Sequence, residues 1–252
     1  MKSVKCGRIY GVGEVFLMKR KIDNVLKNWK KQKNKKPLLI QGARQVGKTY
    51  SVKKFGVENF GQTIYLNFEE NLRLKDLFKD RLNPEYIISL IEILFETKID
   101  DNTLIIFDEV QACERALTSL KYFEESKFNY NLIATGSLLG IHVNRNEYSF
   151  PVGKVEMLTM YPLDFEEFLH AQGKENLANA IRDSYDKLER FPLHDVAMEE
   201  YKKYLIVGGM PEVVKDFIEH NDYSNIKKIQ SSIINAYIAD MQNMQIPVIL
   251  QS

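Results

Sequence analysis

Apolar residues follow two different periods along this chain. Up to about residue 160 they come as short unbroken runs: Pro37-Leu38-Leu39-Ile40, Leu104-Ile105-Ile106-Phe107, and Leu132-Ile133-Ala134 within Tyr130 to Ser137. Runs of that length suit parallel strands buried on both faces. Thr63 to Phe68 reads as another strand and Lys154 to Met160 as a last one, with helices expected over Thr49 to Phe55, Tyr86 to Phe95 and Ala116 to Phe123. From Asp164 onward helical spacing takes over. Phe165, Phe168 and Leu169 form one set; Leu177, Ile181, Tyr185 and Leu188 a second; Tyr201, Tyr204 and Leu205 a third; and Asn225 to Met241 a long fourth. The change of period predicts an α/β core with a parallel sheet, handing over near residue 162 to an all-helical region.

The loop after the first run carries chemistry. Gly42-Ala43-Arg44-Gln45-Val46-Gly47-Lys48-Thr49 matches the phosphate-binding pattern G-x-x-x-x-G-K-[ST], the Walker A loop, in the required order of strand, loop and helix. Glycines at both ends let the backbone turn tightly, so that successive N–H groups and the positive end of the following helix face one anion. Lys48 supplies a point charge for the β- and γ-phosphates, and Thr49 a hydroxyl for Mg²⁺. The competing reading is a glycine-containing turn that happens to carry Lys-Thr.

About sixty residues later the second run ends in Asp108-Glu109, the Walker B pattern. Carboxylates at the C-terminal edge of a parallel sheet sit at the crevice where open α/β sheets bind ligands. Asp108 is the candidate Mg²⁺ residue and Glu109 the candidate base for an attacking water. Solvated acids at an ordinary strand end are the alternative, which the upstream loop disfavours. An adjacent acid also points to hydrolysis by water over phosphoryl transfer to a small molecule. Thr135-Gly136-Ser137 closes the third run, where a hydroxyl could contact the γ-phosphate or the water. Thr135 and Ser137 are therefore candidate sensors, although Thr-Gly-Ser is also ordinary turn chemistry.

With these residues in place, the chain resembles the prokaryotic AAA-type P-loop ATPases that commonly carry a separate C-terminal domain of unknown function. The resemblance spans about Met18 to Met241. It rests on the phosphate loop, Phe107-Asp108-Glu109-Val110-Gln111, Thr135-Gly136-Ser137, Tyr161-Pro162-Leu163-Asp164-Phe165-Glu166-Glu167-Phe168, and Gly208-Gly209-Met210-Pro211. It implies a three-layer ATP-binding α/β core, a helical lid and ATPase activity, with Pro211 approaching the adenine. Gly-Gly-x-Pro equally marks a helix break followed by proline at a new helix start. Members usually begin near Met18, which makes residues 1–17 an N-terminal extension, with the core over 18–162 and the lid over 163–245. They usually continue beyond the point where this chain stops, so 246–252 reads as an apolar tail and the chain as a truncated product.

Composition changes the picture in one respect. The net charge of +1 conceals 12 Lys or Arg against Glu14 and Asp23 within residues 1–37. Such asymmetry hints at an acidic partner. Ile22, Val25, Leu26 and Trp29 recur at helical spacing, which would display Lys19, Arg20, Lys21, Lys27, Lys30, Lys31, Lys33, Lys35 and Lys36 outward. Nucleic acid is then a candidate partner through residues 19–36. The competing reading, a solvated lysine-rich helix, is favoured because no aromatic or Arg-Gly pattern interleaves with the lysines. Cys6 and Cys113 suggest neither a metal site nor a disulfide, which fits a cytoplasmic setting. His142, His170, His194 and His220 lack ligand spacing. No apolar run is long enough for a membrane span, and the N-terminus does not read as a secretory signal. The expectation is a cytoplasmic ATPase using ATP and Mg²⁺ as a switch or motor, with homo-oligomerisation to complete the site; Arg115 and Arg145 are candidates for the missing arginine by location. The alternative is a nucleotide-gated nucleic-acid or protein-binding module with negligible turnover.

Overall fold

The three unbroken runs become the centre of one sheet. In the computed structural model, which describes residues 18–137 and 153–243, they form β1 (Leu38–Gly42), β3 (Thr103–Asp108) and β4 (Asn131–Ser137), every residue of which is buried. With β2 (Gln62–Asn67) and β5 (Glu156–Met160) they make a five-stranded sheet in the order β2-β3-β4-β1-β5, each neighbouring pair parallel. The edge strand β2 alternates in burial beyond its first two residues, as a strand with one covered face should. Residues 1–17 with Cys6, the segment holding His142 and Arg145, and the tail 246–252 lie outside the described residues.

Contacts divide the chain into two units, with the sheet in the first (residues 22–43 and 47–160). Its helices are α1 (Lys21–Lys31, of which Lys21 groups with the second unit), α2 (Lys48–Asn59), α3 (Pro84–Phe95) and α4 (Glu114–Glu125). The α1 stripe buries Ile22, Leu26 and Trp29 but leaves Val25 more exposed. One 3-10 segment, Leu72–Phe78, has no counterpart in the periodicity reading. It inserts Leu74 and Phe78 into the core, where the rings of Phe68, Phe78 and Phe107 meet edge to face at 5.4–5.7 Å.

Strand order fixes where chemistry belongs. After β1 the chain crosses to the far edge at β2 and returns through β3 to β4 beside β1; it then passes to β5 on the other side of β1. Connections thus diverge around β1 and β4, and the carboxyl ends of strands at such a divergence are where open α/β sheets bind ligands. Register places Gly42 opposite Ser137 and Asn67 opposite Asp108 along that edge.

The second unit holds residues 18–21, Arg44–Val46 and 161–243. Its helices are α5 (Phe165–Ala171), α6 (Glu175–Asp186), α7 (His194–Val207), α8 (Pro211–His220) and α9 (Ile226–Asn243). Asp164 and Glu167 close a capping box at the start of α5. Leu163, Phe168, Val207, Val213, Val214 and Phe217 make its core with Met18 and α9. The expected apolar face of α6 is corrected in part: Ala178 is its buried residue, while Tyr185 and Leu188 are 78% and 90% exposed.

Candidate functional site

The phosphate loop owes its shape to two left-handed residues, Gln45 at φ 64° and Gly47 at φ 96°. The second is the N-cap of α2, where a Cβ would be strained, and the Gly47 carbonyl accepts the first helical bond from the Ser51 N–H. Lys48, the first residue of α2, is buried. Its ammonium donates to the carbonyls of Gly42 (3.0 Å) and Ala43 (2.8 Å). A cation is thereby stored at the positive end of a helix, an arrangement that favours an anionic ligand. Within the second unit, the loop-tip carbonyls of Val46 and Arg44 accept from Arg20 (3.0 Å) and the Tyr237 hydroxyl (2.6 Å), and Arg44 pairs with Asp240.

Asp108 is the hub of the first unit's polar edge. It is 1% exposed and accepts from four donors. Oδ2 takes the Thr49 hydroxyl (2.9 Å) and the Tyr65 hydroxyl (2.6 Å), while Oδ1 takes the Thr135 hydroxyl and the Glu109 N–H (3.1 Å). Four donors match the lone-pair sites of a carboxylate. Burial and the neighbouring Asp108 push the Tyr65 phenol far above its usual range, so it remains a donor. Asn67 in turn donates to the Tyr65 oxygen at 3.1 Å.

Glu109 follows in a left-handed conformation, φ 52° and ψ 47°. For a residue with a Cβ this costs about 1–2 kcal/mol, and such outliers cluster at functional sites. The turn is closed by the Ala112 N–H on the Glu109 carbonyl at 2.9 Å, and Oε2 accepts from the Gln111 amide at 2.6 Å. Burial raises the Glu109 pKa, helped by the charges of Asp108 and Glu69 and opposed by the Gln111 bond and Lys48.

The structure therefore brings Thr49, Asp108 and Thr135 into direct contact, with Glu109 bonded to Asp108 through its backbone. Thr135 is fully buried with its hydroxyl on Asp108, and the Ser137 N–H donates to Gln111 Oε1 at 3.3 Å. Tyr65 and the Gln111 side chain are the partners that sequence reasoning missed. Their signal lies in strand register, two residues before the Asn67–Asp108 pairing for Tyr65, and in the last residue of the Asp-Glu-Val-Gln run. Mg²⁺ takes oxygen donors and few protein carboxylates, sharing its shell with phosphates and water. The hydroxyl of Thr49 and the carboxylate of Asp108 fit that chemistry, and no cluster of three His, Cys, Asp or Glu able to cage a metal occurs among the described residues.

Arg115 and Pro211 each have a structural role in this fold. Arg115 donates to the carbonyls of Phe78 and Asp80 and is anchored there. Pro211 opens α8 at its first turn, as the helix-break reading has it. Gly208 sits at φ 73°, ψ −172°, and a Cβ on Gly209 would lie 2.0 Å from the Leu163 carbonyl oxygen, so both glycines are required by backbone geometry.

Residues 34–169, more than half of the chain, match the family described as AAA domain. The chain belongs to this AAA family. Its sheet order, with the candidate site at the carboxyl ends of the strands, is that of a P-loop core, and nucleotide binding is the class of function that membership brings. Curated relatives include an uncharacterized protein of Haemophilus influenzae, 26% identical over 80% of this chain and 50% of its own length. Another, from Methanocaldococcus jannaschii, is 26% identical over 79% of this chain and 42% of its own. The chain spans about half the length of these relatives. Among solved structures, AMPPCP-bound DnaA from Aquifex aeolicus overlaps at TM-score 0.43 and 12% identity, over 84% of this chain and 63% of that one. The Aeropyrum pernix ORC1 protein in complex with DNA overlaps at TM-score 0.38 and 15% identity, over 62% and 47%. No helix among the described residues is long and apolar enough to cross a membrane.

Proposed function

We propose that the chain binds ATP and hydrolyses its β-γ anhydride with water, as a switch or motor acting in the cytoplasm. The observation that carries this reading is the convergence on Asp108 of hydroxyls from α2, β2 and β4, with a carboxylate on the next residue. Backbone N–H groups of residues 42–48 and the start of α2 bind the phosphates. Lys48 leaves its two carbonyls for the β- and γ-phosphate oxygens. Thr49 and Asp108 would hold Mg²⁺, which neutralises charge on those oxygens. Glu109 orients a water and accepts its proton as the water oxygen attacks the γ-phosphorus, and ADP departs. Thr135 keeps Asp108 in place, Ser137 lies at the sensor position, and Pro211 is assigned to the adenine side.

A second reading, a nucleotide-gated binding module with negligible turnover, draws on the Gln111 bond that already occupies the Glu109 carboxylate. Steady-state hydrolysis separates the two, and substitutions test the site. Lys48→Ala should abolish ATP binding. Glu109→Gln should keep ATP and Mg²⁺ while turnover falls by about 10²- to 10⁴-fold. Unchanged affinity in the first variant would sink the phosphate-loop assignment, and parental turnover in the second would remove Glu109 from the mechanism. Nucleic acid remains a candidate partner through Lys27, Lys31 and Lys33, which are exposed on and after α1.

A further inference from the structure

The Gln111 side chain is bonded at both ends of its amide. Its Nε2 donates to Glu109 Oε2 at 2.6 Å and lies 3.4 Å from Glu69 Oε1, while its Oε1 accepts the Ser137 N–H at 3.3 Å. Glu109 and Gln111 straddle the start of the 3-10 turn Val110–Ala112, which begins directly after the left-handed Glu109. Ser137 is the last residue of β4, opposite Gly42 of the phosphate loop. One amide therefore ties the carboxylate of β3's extension to the tip of the strand that separates β3 from β1.

We propose that Gln111 is the positioning residue of the Glu109 base, fixing its carboxylate by a hydrogen bond referenced to the end of β4. This deepens the hydrolytic reading and rests on it. A glutamate side chain at the mouth of a crevice has three rotatable bonds, and a base works only within hydrogen-bond reach of the proton it takes. The backbone of Glu109 is set by its own N–H on Asp108 and by the turn closure, but neither bond reaches the side chain. Gln111 supplies that restraint. Because the amide oxygen is held at the same time, the donor cannot rotate away without losing the Ser137 bond.

The test compares Gln111→Ala and the nearly isosteric Gln111→Met, each alone and with Glu109→Gln, in the full chain. Nucleotide affinity with Mg²⁺, thermal midpoint and single-turnover hydrolysis are read for each. The expected result is a turnover loss of at least about tenfold in both Gln111 variants, short of the about 10²- to 10⁴-fold loss for the base itself. Nucleotide affinity should stay within about twofold. In the Glu109→Gln background the Gln111 substitutions should have no further effect, because the group they position is gone. Parental turnover in a folded Gln111→Met would overturn the proposal, as would an equal loss in both backgrounds. If Gln111→Ala fails to fold, Gln111→Met decides. Absent turnover in the parent chain, or full turnover in Glu109→Gln alone, would overturn the hydrolytic reading and this proposal with it. Loss confined to the Gln111 variants' affinity would overturn only this one.

Discussion

Arg20 stands at the start of the lysine-rich stretch, yet its side chain is only 7% exposed. Its Nε pairs with Glu167 at 3.1 Å, Nη1 donates to the Val46 carbonyl at 3.0 Å, and Nη2 to that of Tyr161 at 2.8 Å. Glu167 is equally buried and also accepts the N–H groups of Lys21 (2.7 Å) and Asp164 (3.2 Å). Glu167→Ala removes the carboxylate but leaves the guanidinium buried, the case in which breaking an ion pair costs about 3–5 kcal/mol. A chain of this size loses about 2–4 °C of melting temperature per kcal/mol, so the expected drop is about 6–20 °C. Glu167→Gln keeps an acceptor for the guanidinium and should lose less, about 1.5–3 kcal/mol. Urea and thermal unfolding of the two variants, of Arg20→Ala and of the double substitution supply the cycle. Coupling of about 0.5–3 kcal/mol between Arg20 and Glu167 is expected. A Glu167→Ala loss below about 1 kcal/mol, or zero coupling, would place the pair among exposed bridges and refute the burial argument.

Four further outcomes are expected. Tyr65→Phe strips one donor from the buried Asp108 and should cost about 1.5–3 kcal/mol in urea unfolding; a neutral result would show that the hydroxyl is dispensable. Gly209→Ala forces a Cβ onto the Leu163 carbonyl oxygen, at 2.0 Å before relaxation, and should destabilise by at least about 1–3 kcal/mol, read by thermal unfolding. If the basic segment binds duplex DNA, neutralising Lys27, Lys31 and Lys33 should flatten the log-log salt slope by about 0.9 for each phosphate no longer engaged. Lys30, Lys35 and Lys36, engaged with the Asn59 carbonyl, the Trp29 ring and the Gly153 carbonyl, should matter less, and equal effects of the two sets would contradict this partition. With Arg115 anchored, hydrolysis should be slow in dilute protein and rise in specific activity with concentration as a second copy completes the site; a flat, high rate across a dilution series would exclude this.

The central strands are legible in the sequence because a parallel strand covered on both faces has nothing to alternate against, so Leu104 to Phe107 and Leu132 to Ala134 announce themselves as unbroken runs. The phosphate loop is legible for a related reason, since its glycines and Lys48 act through sequence-local backbone. What escapes depends on who stands opposite. Helical spacing at Tyr185 and Leu188 specifies a face but not a partner for it, and both residues are exposed. Leu72–Phe78 turns with the 3-10 period of three residues, which a search for α-helical spacing does not match, although Phe78 is fully buried. The lysine stretch reads as one outward face. Arg20 instead packs with a glutamate 147 residues away, a pairing no local pattern contains.

Tyr65 shows why register matters more to this site than composition does. A tyrosine in an edge strand is ordinary strand chemistry, and only the pairing of Asn67 with Asp108 puts its hydroxyl over the carboxylate. Once there, it changes the energetics of anything that binds at Oδ2. On the proposed reading, a cation held by Thr49 and Asp108 would share Oδ2 with the Tyr65 hydroxyl, whose hydrogen bond to the charged group is worth about 1.5–3 kcal/mol. The two hydroxyls on Oδ2 belong to different elements, α2 and β2. A change in charge at Oδ2 therefore bears on hydrogen bonds of both elements. A carboxylate facing water at that position would lack both bonds, and nothing bound there would touch either element.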